Sequence, residues 1–286
     1  MCQFNEIKSE TESDNRSTLT TETCILVPSW DGYQDLWRPF FHCFFKYWPD
    51  CPFPVFLGAN QAVYDDSRVK MLVVKPKTDY SSSLIEFLNQ LPYTWIIVWV
   101  EDLLLQSKVD TNAINRILHW SYAHNVAHVR LLGGRQSLVA LAASHFPQAD
   151  MPDVGMIPKG ARYRVGLTVG LWKKNVLINL LRPGESAWDF EHNGSLRSSV
   201  IKDPFFCVIG QGHSAPLVNV VNAVRKGLWT QEGIGFLQQE GLSVVIETRR
   251  KESQFTSAYL NKAKPFFKLS LFRILYALRY RRSAGK

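Results

Sequence analysis

Two short acidic clusters carry the side chains of this 286-residue sequence that are best suited to chemistry. Glu101 and Asp102 come directly after the apolar run Trp95–Val100, which predicts a buried central strand. In open α/β sheets, ligands bind beyond the carboxyl ends of the strands. Carboxylate oxygens at that position would suit Mg²⁺ or Mn²⁺ and, through the cation, a diphosphate. Two adjacent acids also fit a solvated loop or an N-cap, and spacing alone leaves these alternatives open.

The second cluster is the heptapeptide Glu-Ser-Ala-Trp-Asp-Phe-Glu at 185–191. It shows little strand or helix periodicity, so we expect an ordered loop over Glu185–Ser199. We expect Trp188 to be buried, and a buried loop tryptophan beside an acid is a common way to bind sugar, because the ring covers C–H groups while the carboxylate accepts hydroxyl hydrogen bonds. A carboxylate beside aromatic rings also suits base catalysis, since its pKa can rise. The alternative is that Trp188 and Phe190 only anchor the loop to the core.

Motifs for other chemistries are weak. His124 and His128 have i, i+4 spacing, and His119 lies nearby, but a predicted change from helix to strand at Asn125 separates the first two. The sequence contains no H-E-x-x-H motif, no P-loop, no dinucleotide fingerprint and no G-x-S-x-G element. It therefore gives little support to a zinc site or to a serine nucleophile.

The positive charge of the chain is concentrated at one end. Lys and Arg number 33 against 25 Asp and Glu, which gives a formal net charge of +8. Eight of the basic residues and no acid lie in residues 262–286, so the remaining 25 basic residues balance the acids. This distribution argues against a dispersed nucleic-acid-binding surface and favours a local polybasic tail. We therefore expect no nucleic-acid partner.

Composition and the first residues predict a soluble intracellular protein with a polar leader. The chain is 46% hydrophobic, enough for a substantial core. Its five cysteines, without a C-x-x-C pair, favour a reducing compartment. Residues 1–22 are polar and acidic, unlike a signal peptide, and predict a flexible leader. No run reaches about 18 uninterrupted apolar residues, so we expect no transmembrane helix.

Strand-like and helix-like segments alternate along the chain, which is typical of an α/β domain with a mainly parallel sheet. No linker separates the two halves, so we expect a single domain over 23–261. The predicted strands are Cys24–Val27, Pro54–Leu57, Met71–Lys75, Trp95–Val100, Ala127–Leu132, Tyr163–Leu171, Pro216–Val221 and Ser243–Glu247. The predicted helices are Asp35–Trp48, Ser81–Leu91 with Ser81 or Ser82 as N-cap, Asp110–His124 with Asp110 or Thr111 as N-cap, Lys173–Leu181 and Thr230–Gln239.

The last segment, 262–286, combines basic and apolar side chains. Pro265–Arg282 could form a basic amphipathic helix, and Lys268 and Arg273 interrupt its apolar run. Such a helix would lie on a membrane rather than cross it, and each basic residue near an anionic leaflet would add about 1 kcal/mol to binding. The alternative is a helix packed on the core with a frayed basic end.

A series of short motifs occurs in a distinctive order between Cys24 and Leu242. The motifs are Val27–Tyr33, Asp35–Trp37, Tyr47–Pro52, Leu57–Asn60, Ile96–Asp102, Tyr163–Leu167, Leu171–Lys174, Glu185–Glu191 followed by Gly194-Ser195, and Arg225–Trp229. In this order and spacing they resemble a family of bacterial glycosyltransferases of GT-A type from surface-polysaccharide gene clusters. Three places depart from the family pattern: Leu103-Leu104 follow the acids instead of aromatic residues, Tyr80 replaces a Trp, and Thr168 replaces a Gln.

The resemblance implies a GT-A-like fold with a Rossmann-like, mainly parallel central sheet flanked by helices, to which the C-terminal basic amphipathic helix is appended. The implied activity is transfer of a sugar from a nucleotide-sugar donor to a glycan or lipid-linked acceptor in lipopolysaccharide or capsule synthesis. A divalent cation, Mn or Mg, would assist. The implied location is cytoplasmic, on the inner face of the bacterial inner membrane, held at the anionic surface through residues 262–286.

The resemblance also assigns roles to individual residues. Glu191 would be the catalytic base, with Glu185 in reserve, while Trp188 and Asp189 would bind the acceptor. Asp102, helped by Glu101, would hold the metal. Donor and nucleotide binding would fall to Pro28, Ser29, Asp31, Asn60, Glu101, Asp102 and Lys226. The atypical Glu101–Leu104 motif leaves an alternative open, a catalytically inert membrane-associated partner in a polysaccharide assembly complex.

Overall fold

The structure is a computed structural model that describes residues 19–77, 79–132, 137–210 and 217–252. These residues belong to two units, whose boundary along the chain falls between Val221 and Asn222. The predicted leader falls almost wholly, and the predicted tail at 262–286 entirely, outside the described residues, and the domain limits stay predictions. Within the described ranges, no helix combines the length and the apolar character needed to cross a membrane.

The first unit alternates strands and helices. Its strands are β1 (Thr23–Pro28), β2 (Val55–Ala59), β3 (Val69–Val73), β4 (Trp95–Val98), β5 (Leu103–Leu105), β6 (His128–Arg130), β7 (Val154–Met156), β8 (Gly170–Lys173), β9 (Phe205–Val208) and β10 (Val220–Asn222), the last ending at the boundary. Its α-helices are α1 (Gln34–Tyr47), α2 (Tyr80–Gln90), α3 (Thr111–Ala123), α4 (Leu138–Ala143), α5 (Lys174–Leu180) and α6 (Ala187–Arg197). Short 3₁₀ helices cover Asp31–Tyr33 and Ser198–Val200.

Eight strands form the central sheet in the order β3-β2-β1-β4-β8-β6-β9-β7. Strands β3, β2, β1, β4, β6 and β9 run in one direction, whereas β8 and β7 run in the other. This arrangement confirms the predicted α/β class with a mainly parallel central sheet flanked by helices. The chain places β2 and β3 on one side of β1 and β4 on the other, so the switch point lies between β1 and β4.

Strand register puts one row of residues across five strands, near the carboxyl ends of the parallel ones. Leu26 of β1 pairs with Val98 of β4, which pairs with Gly170 of β8. Gly170 also pairs with Arg130 of β6, and Arg130 pairs with Cys207 of β9. Because β8 is antiparallel, its amino end lies at the edge where β4 and β6 end. The residues that follow the parallel strands and the segment that precedes β8 therefore lie at the same edge of the sheet.

Three predictions about local structure are wrong. The segment predicted as a strand over Tyr163–Leu171 is irregular up to Val169, and β8 begins only at Gly170. The loop predicted over Glu185–Ser199 contains the eleven-residue helix α6. The strand predicted at Ser243–Glu247 is a 3₁₀ helix, Ser243–Thr248.

Side-chain caps fix the starts of α2 and α3. Asp79, rather than Ser81 or Ser82, caps α2, accepting a hydrogen bond from the Ser82 amide at 2.8 Å. Asp110 caps α3, as predicted, through the Ala113 amide at 3.0 Å. A carboxylate that accepts these first amide hydrogens satisfies donors that have no partner within the helix.

The second unit contains a short hairpin and a helix. The hairpin joins β11 (Val224–Arg225) to β12 (Leu228–Trp229), and α7 (Gln231–Gln239) follows. Lys226 and Gly227 form the turn, with φ values of 52° and 77°. Both lie in the left-handed region that two-residue hairpin turns require. Lys226 thus has a defined place in the turn, and its assignment to the donor phosphates stays a prediction.

Candidate active site

Ser29 and Glu101 join β1 and β4 at the switch point of the sheet. The Ser29 hydroxyl donates to Glu101 Oε1 at 2.7 Å and accepts a hydrogen bond from Trp37 Nε1 at 2.8 Å. Glu101 is only 6% exposed. A buried carboxylate with such a partner fixes local geometry, because leaving it unpaired would be costly. Glu101 is thus buried at the switch point, where open α/β sheets have their ligand-binding crevice. The adjacent Asp102 is partly exposed.

Asp31 and Asn60 tie the exits of β1 and β2 together. The Asp31 carboxylate accepts hydrogen bonds from the Asn60 amide at 2.9 Å and the Gln61 amide at 3.0 Å. Pro28, the last residue of β1, is buried. The structure therefore brings these three predicted donor-binding residues to the same edge of the sheet as Ser29, Glu101 and Asp102. Two backbone donors already use the Asp31 carboxylate, so part of its function is to order this loop.

Helix α6 exists because its first turn carries a capping box. Ser186 Oγ accepts the Asp189 amide at 3.2 Å, and the Asp189 carboxylate accepts the Ser186 amide at 3.1 Å. These reciprocal bonds satisfy helix-terminal donors. Phe190 is buried beneath the helix, whereas Trp188 is 71% exposed and is therefore not the buried tryptophan expected from the sequence. Trp188 offers an open aromatic face to a ligand.

Glu185 and Asp189 serve the structure of α6. Arg197 donates to both Glu185 oxygens, at 2.8 and 2.6 Å, and Asn193 donates to Oε1 at 3.0 Å. The hydrogen bonds from Arg197 lower the pKa of Glu185, and those from Ser186 lower the pKa of Asp189. A carboxylate held by a bidentate arginine is a poor general base. The geometry therefore disfavours the reserve-base role of Glu185, and it gives Asp189 a capping role.

Glu191 holds the irregular segment that precedes β8. Its Oε1 accepts a hydrogen bond from the Leu167 amide at 2.9 Å. One turn later, the Ser195 hydroxyl accepts a hydrogen bond from the Val165 amide at 3.0 Å. The segment 163–169 consequently runs along α6, and Glu191 is fixed through one oxygen. In the described part of the chain, its second oxygen has no hydrogen-bond partner.

The hydroxyl of Tyr80, at the start of α2, connects the two acidic clusters. It is buried and has no hydrogen-bond partner in the described ranges. Burial raises the pKa of Tyr80, and the nearby carboxylates of Glu101, Glu191 and Asp102 raise it further. One acid of the heptapeptide and both acids after β4 therefore act electrostatically on a single neutral hydroxyl. The sequence marked Tyr80 only as a departure from a family pattern, and its place in this cluster was not predicted.

The carboxylates in this region fit a hard cation that is coordinated mainly by phosphate oxygens and water. Among the described residues, no three His, Cys, Asp or Glu side chains converge as a metal cage, so the predicted Glu101–Asp102 pair does not form a closed site. Glu101 faces Ser29, which leaves Asp102 as the carboxylate placed to contribute. Mg²⁺ and Mn²⁺ often use one or two carboxylates together with phosphate oxygens and water. A single aspartate at the crevice fits that pattern.

The chain matches no protein-family model and no curated protein sequence. Similar solved structures include S. aureus TarS 1-349, at 10% identity and a TM-score of 0.43, with 66% of this chain and 60% of that chain covered. The same protein in complex with UDP has 11% identity and a TM-score of 0.40, with 65% of this chain and 60% of that chain covered. A mannosyltransferase from Pyrobaculum calidifontis, in complex with GDP-Man and Mn2+, has 9% identity and a TM-score of 0.48, with 72% of this chain and 58% of that chain covered. The chain thus spans less than two thirds of the length of each.

Proposed function

We propose that this protein is a sugar-nucleotide-dependent glycosyltransferase. The observation that carries the proposal is that the charges of Glu101, Glu191 and Asp102 all act on the buried Tyr80 hydroxyl. Glu101 and Asp102 follow β4 at the carboxyl edge of a mainly parallel sheet, beside its switch point, which is where open α/β sheets bind ligands. The sequence resemblance to GT-A-type enzymes points to the same activity.

Electrostatics favours a cation-bound diphosphate at this edge. The charged groups that act on Tyr80 are all acidic, so a bare diphosphate would be repelled. Asp102 would hold Mn²⁺ or Mg²⁺, which neutralises the diphosphate and stabilises it as the leaving group. Ser29 and Glu101 keep Asp102 at the crevice, and Asp31 and Asn60 order the loop expected to receive the nucleoside.

Glu191 would act as the general base in an inverting transfer. Its Oε1 is anchored by the Leu167 amide, which leaves Oε2 to accept the proton of an acceptor hydroxyl. The hydroxyl oxygen forms a bond to the anomeric carbon as the bond from that carbon to the phosphate oxygen breaks. The nucleoside diphosphate leaves with that electron pair. Glu191 carries the proton until it is released to water.

Trp188 would stack on the acceptor sugar, since its exposed ring is on the helix that carries Glu191. We further propose a glycan or lipid-linked acceptor in bacterial surface-polysaccharide synthesis. The protein would act at the cytoplasmic face of the inner membrane, with residues 262–286 binding the anionic surface. This part rests on the sequence resemblance and on the eight basic residues of that segment.

A thermal-shift panel of nucleoside diphosphates and nucleotide sugars, each with and without Mn²⁺, tests the proposal. We expect one nucleotide to raise the Tm of the wild type only with Mn²⁺, and to have no such effect on Asp102→Asn. The matched control is Asp110→Asn, which alters an acid of the same type at a helix cap away from the crevice. A panel without any cation-dependent response would contradict the proposal.

The catalytically inert partner remains a second candidate, and one observation favours it. Glu101 is committed to Ser29, so the crevice offers one carboxylate where the sequence predicted two. An inert partner would give no sugar transfer and no stabilisation by any nucleotide with Mn²⁺. Stabilisation by a nucleotide with Mn²⁺, together with sugar transfer, would exclude this candidate.

A further inference from the structure

Arg130 is a buried cation at the same edge of the sheet as the acidic clusters. It is the last residue of β6 and lies in the row that continues through Gly170 to Val98. Two strand spacings, about 10 Å, separate the backbones of Arg130 and Val98. The residue is 9% exposed. A guanidinium therefore lies within the core layer, a short distance across the sheet from the Asp102 crevice.

No carboxylate neutralises Arg130 in the described part of the chain. Its Nη2 donates one long hydrogen bond, 3.4 Å, to the Tyr163 carbonyl. Its Nε is buried and has no hydrogen-bond partner among the residues that the structure describes. The neighbouring His128 is buried, and burial first, then the charge of Arg130, lower its pKa, so the imidazole is neutral and adds no second charge. A buried charge without a partner costs several kcal/mol.

Arg164 shows how the same fold satisfies a buried arginine that serves structure alone. Its Nη1 donates to the Ser198 carbonyl at 2.7 Å and its Nε donates to the Ile157 carbonyl at 3.3 Å. Its guanidinium also stacks on the Phe205 ring, 3.9 Å from the centroid. Arg130 has none of this support beyond its single long bond. The contrast indicates that Arg130 is kept for something other than packing.

The chain also makes room for the Arg130 head group. A methyl group on Gly166 would overlap Arg130 Nη2, so only glycine allows the guanidinium to lie there. Tyr163, whose carbonyl accepts the single bond, has a φ of 57°. A non-glycine residue in the left-handed region is strained and clusters at functional sites. Two features of the 163–169 segment are thus shaped around this cation.

We propose that Arg130 is an oxyanion-binding residue, which takes a phosphate or carboxylate group of a ligand at the same edge of the sheet as Asp102. An arginine fork is suited to either group because its parallel N–H donors match two oxygens. The bound anion neutralises the positive charge of the Arg130 guanidinium. The site is separate from cation-dependent nucleotide binding, and it does not require the glycosyltransferase proposal to hold.

The test measures anion binding without any divalent cation. The wild type is titrated with inorganic phosphate and with glucuronate, in chloride at matched ionic strength, and the Tm is followed. At ten times the dissociation constant we expect a rise of about 3 °C with the preferred anion. The phosphate and glucuronate arms distinguish a phosphate ligand from a carboxylate-bearing sugar. Arg130→Met should abolish the response, and Arg162→Met, a change at an exposed neighbour, should keep it.

Gly166→Ala provides a second variant that keeps the charge but displaces the guanidinium. It should reduce the response at least fivefold in affinity, and it stands in for Arg130→Met if that variant fails to fold. An unchanged response in whichever of the two variants folds would overturn the proposal, as would a wild type that responds to neither anion. Because no Mn²⁺ is present, failure here leaves the Asp102 experiment standing, and the converse also holds.

Discussion

The two acidic clusters have similar compositions, yet the structure divides each of them in the same way. After β4, Glu101 is buried against Ser29, and Asp102 stays at the rim. On α6, Glu185 binds Arg197, while Glu191 keeps one oxygen available. Each cluster thus has one acid held in a structural hydrogen-bond network and one acid that we propose acts on a ligand. The sequence does not reveal this division, because the hydrogen bonds of Glu101 and Glu185 depend on tertiary packing.

Replacing the ligand-facing acid of α6 should give the largest change in rate. Glu191→Gln removes the proton acceptor, so we expect transfer to fall about 10²–10⁴-fold. The amide oxygen of Gln can still accept from Leu167, so the Tm should stay near that of the wild type. Steady-state kinetics on the responsive nucleotide sugar, with Tm as the folding check, measures this. A normal rate would assign the base elsewhere.

The acids after β4 should separate binding from stability. Asp102→Asn should lose the Mn²⁺-dependent nucleotide response. Glu101→Ala should instead lower the free energy of unfolding by about 1–3 kcal/mol, because Ser29 and Trp37 lose their buried network. Urea unfolding and nucleotide titration of both variants measure the two effects. A loss of the nucleotide response in Glu101→Ala alone, with a loss of stability in Asp102→Asn alone, would exchange the roles of the two acids.

Breaking the ion pair of α6 should affect stability and not the transfer rate. Glu185→Gln should cost about 1–3 kcal/mol, since the bidentate hydrogen bonds from Arg197 lose their charge. The folded pKa of Glu185 is lowered, so its contribution is complete above the unfolded pKa of about 4.3 and is lost as pH falls through the folded value. Wild type and variant should therefore converge in stability under acidic conditions. A slowed reaction at unchanged Tm would return Glu185 to the catalytic residues.

The cap of α6 should have a smaller effect. Ser186→Ala removes the hydroxyl that accepts the Asp189 amide, and we expect a loss of about 1 kcal/mol. Because Glu191 sits in the second turn, kcat should change less than the stability does. Denaturant unfolding of Ser186→Ala beside Ser186→Thr, which keeps a capping hydroxyl, isolates the cap. Equal losses in the two variants would show that the capping hydroxyl contributes nothing.

Tyr80→Phe should have the smallest effect, and of opposite sign. The buried hydroxyl has no partner in the described residues, so removing it should raise the free energy of unfolding by about 0.5–1 kcal/mol. The measurement is urea unfolding without ligand. A destabilised variant would mean that the hydroxyl already donates to one of the acids between which it lies.

Much of the fold could be predicted from periodicity and composition. The apolar runs at β1 and β4 read as buried strands, and Asp110 was identified as a cap, because these features depend on neighbours along the chain. The helix α6 was missed because its sequence lacks an apolar stripe; the capping box and buried Phe190 compensate. The pattern Ser-x-x-Asp at 186–189 was visible and could have indicated the helix start.

The candidate site was predictable in its acids and not in its partners. Glu101, Asp102 and Glu191 were named from their places after a strand and within a motif. Tyr80 and Arg130 could not be found that way, because their significance is that the described residues give no hydrogen-bond partner to the first and no counter-ion to the second. Such absences arise from tertiary packing, and a single sequence carries no signal for them.

The antiparallel insertion of β8 has a consequence for how the chain folds. Strand β4 pairs with β1 on one side, but its other edge waits for β8, more than seventy residues later. Until that segment emerges during synthesis, Ile96 and Val98 belong to an open apolar strand edge of the kind that recruits other chains. Pairing over such a separation is slow. The apolar edge of β4 and the edge that carries the candidate site are therefore completed in one late step, so a chain halted before β8 is prone to aggregate.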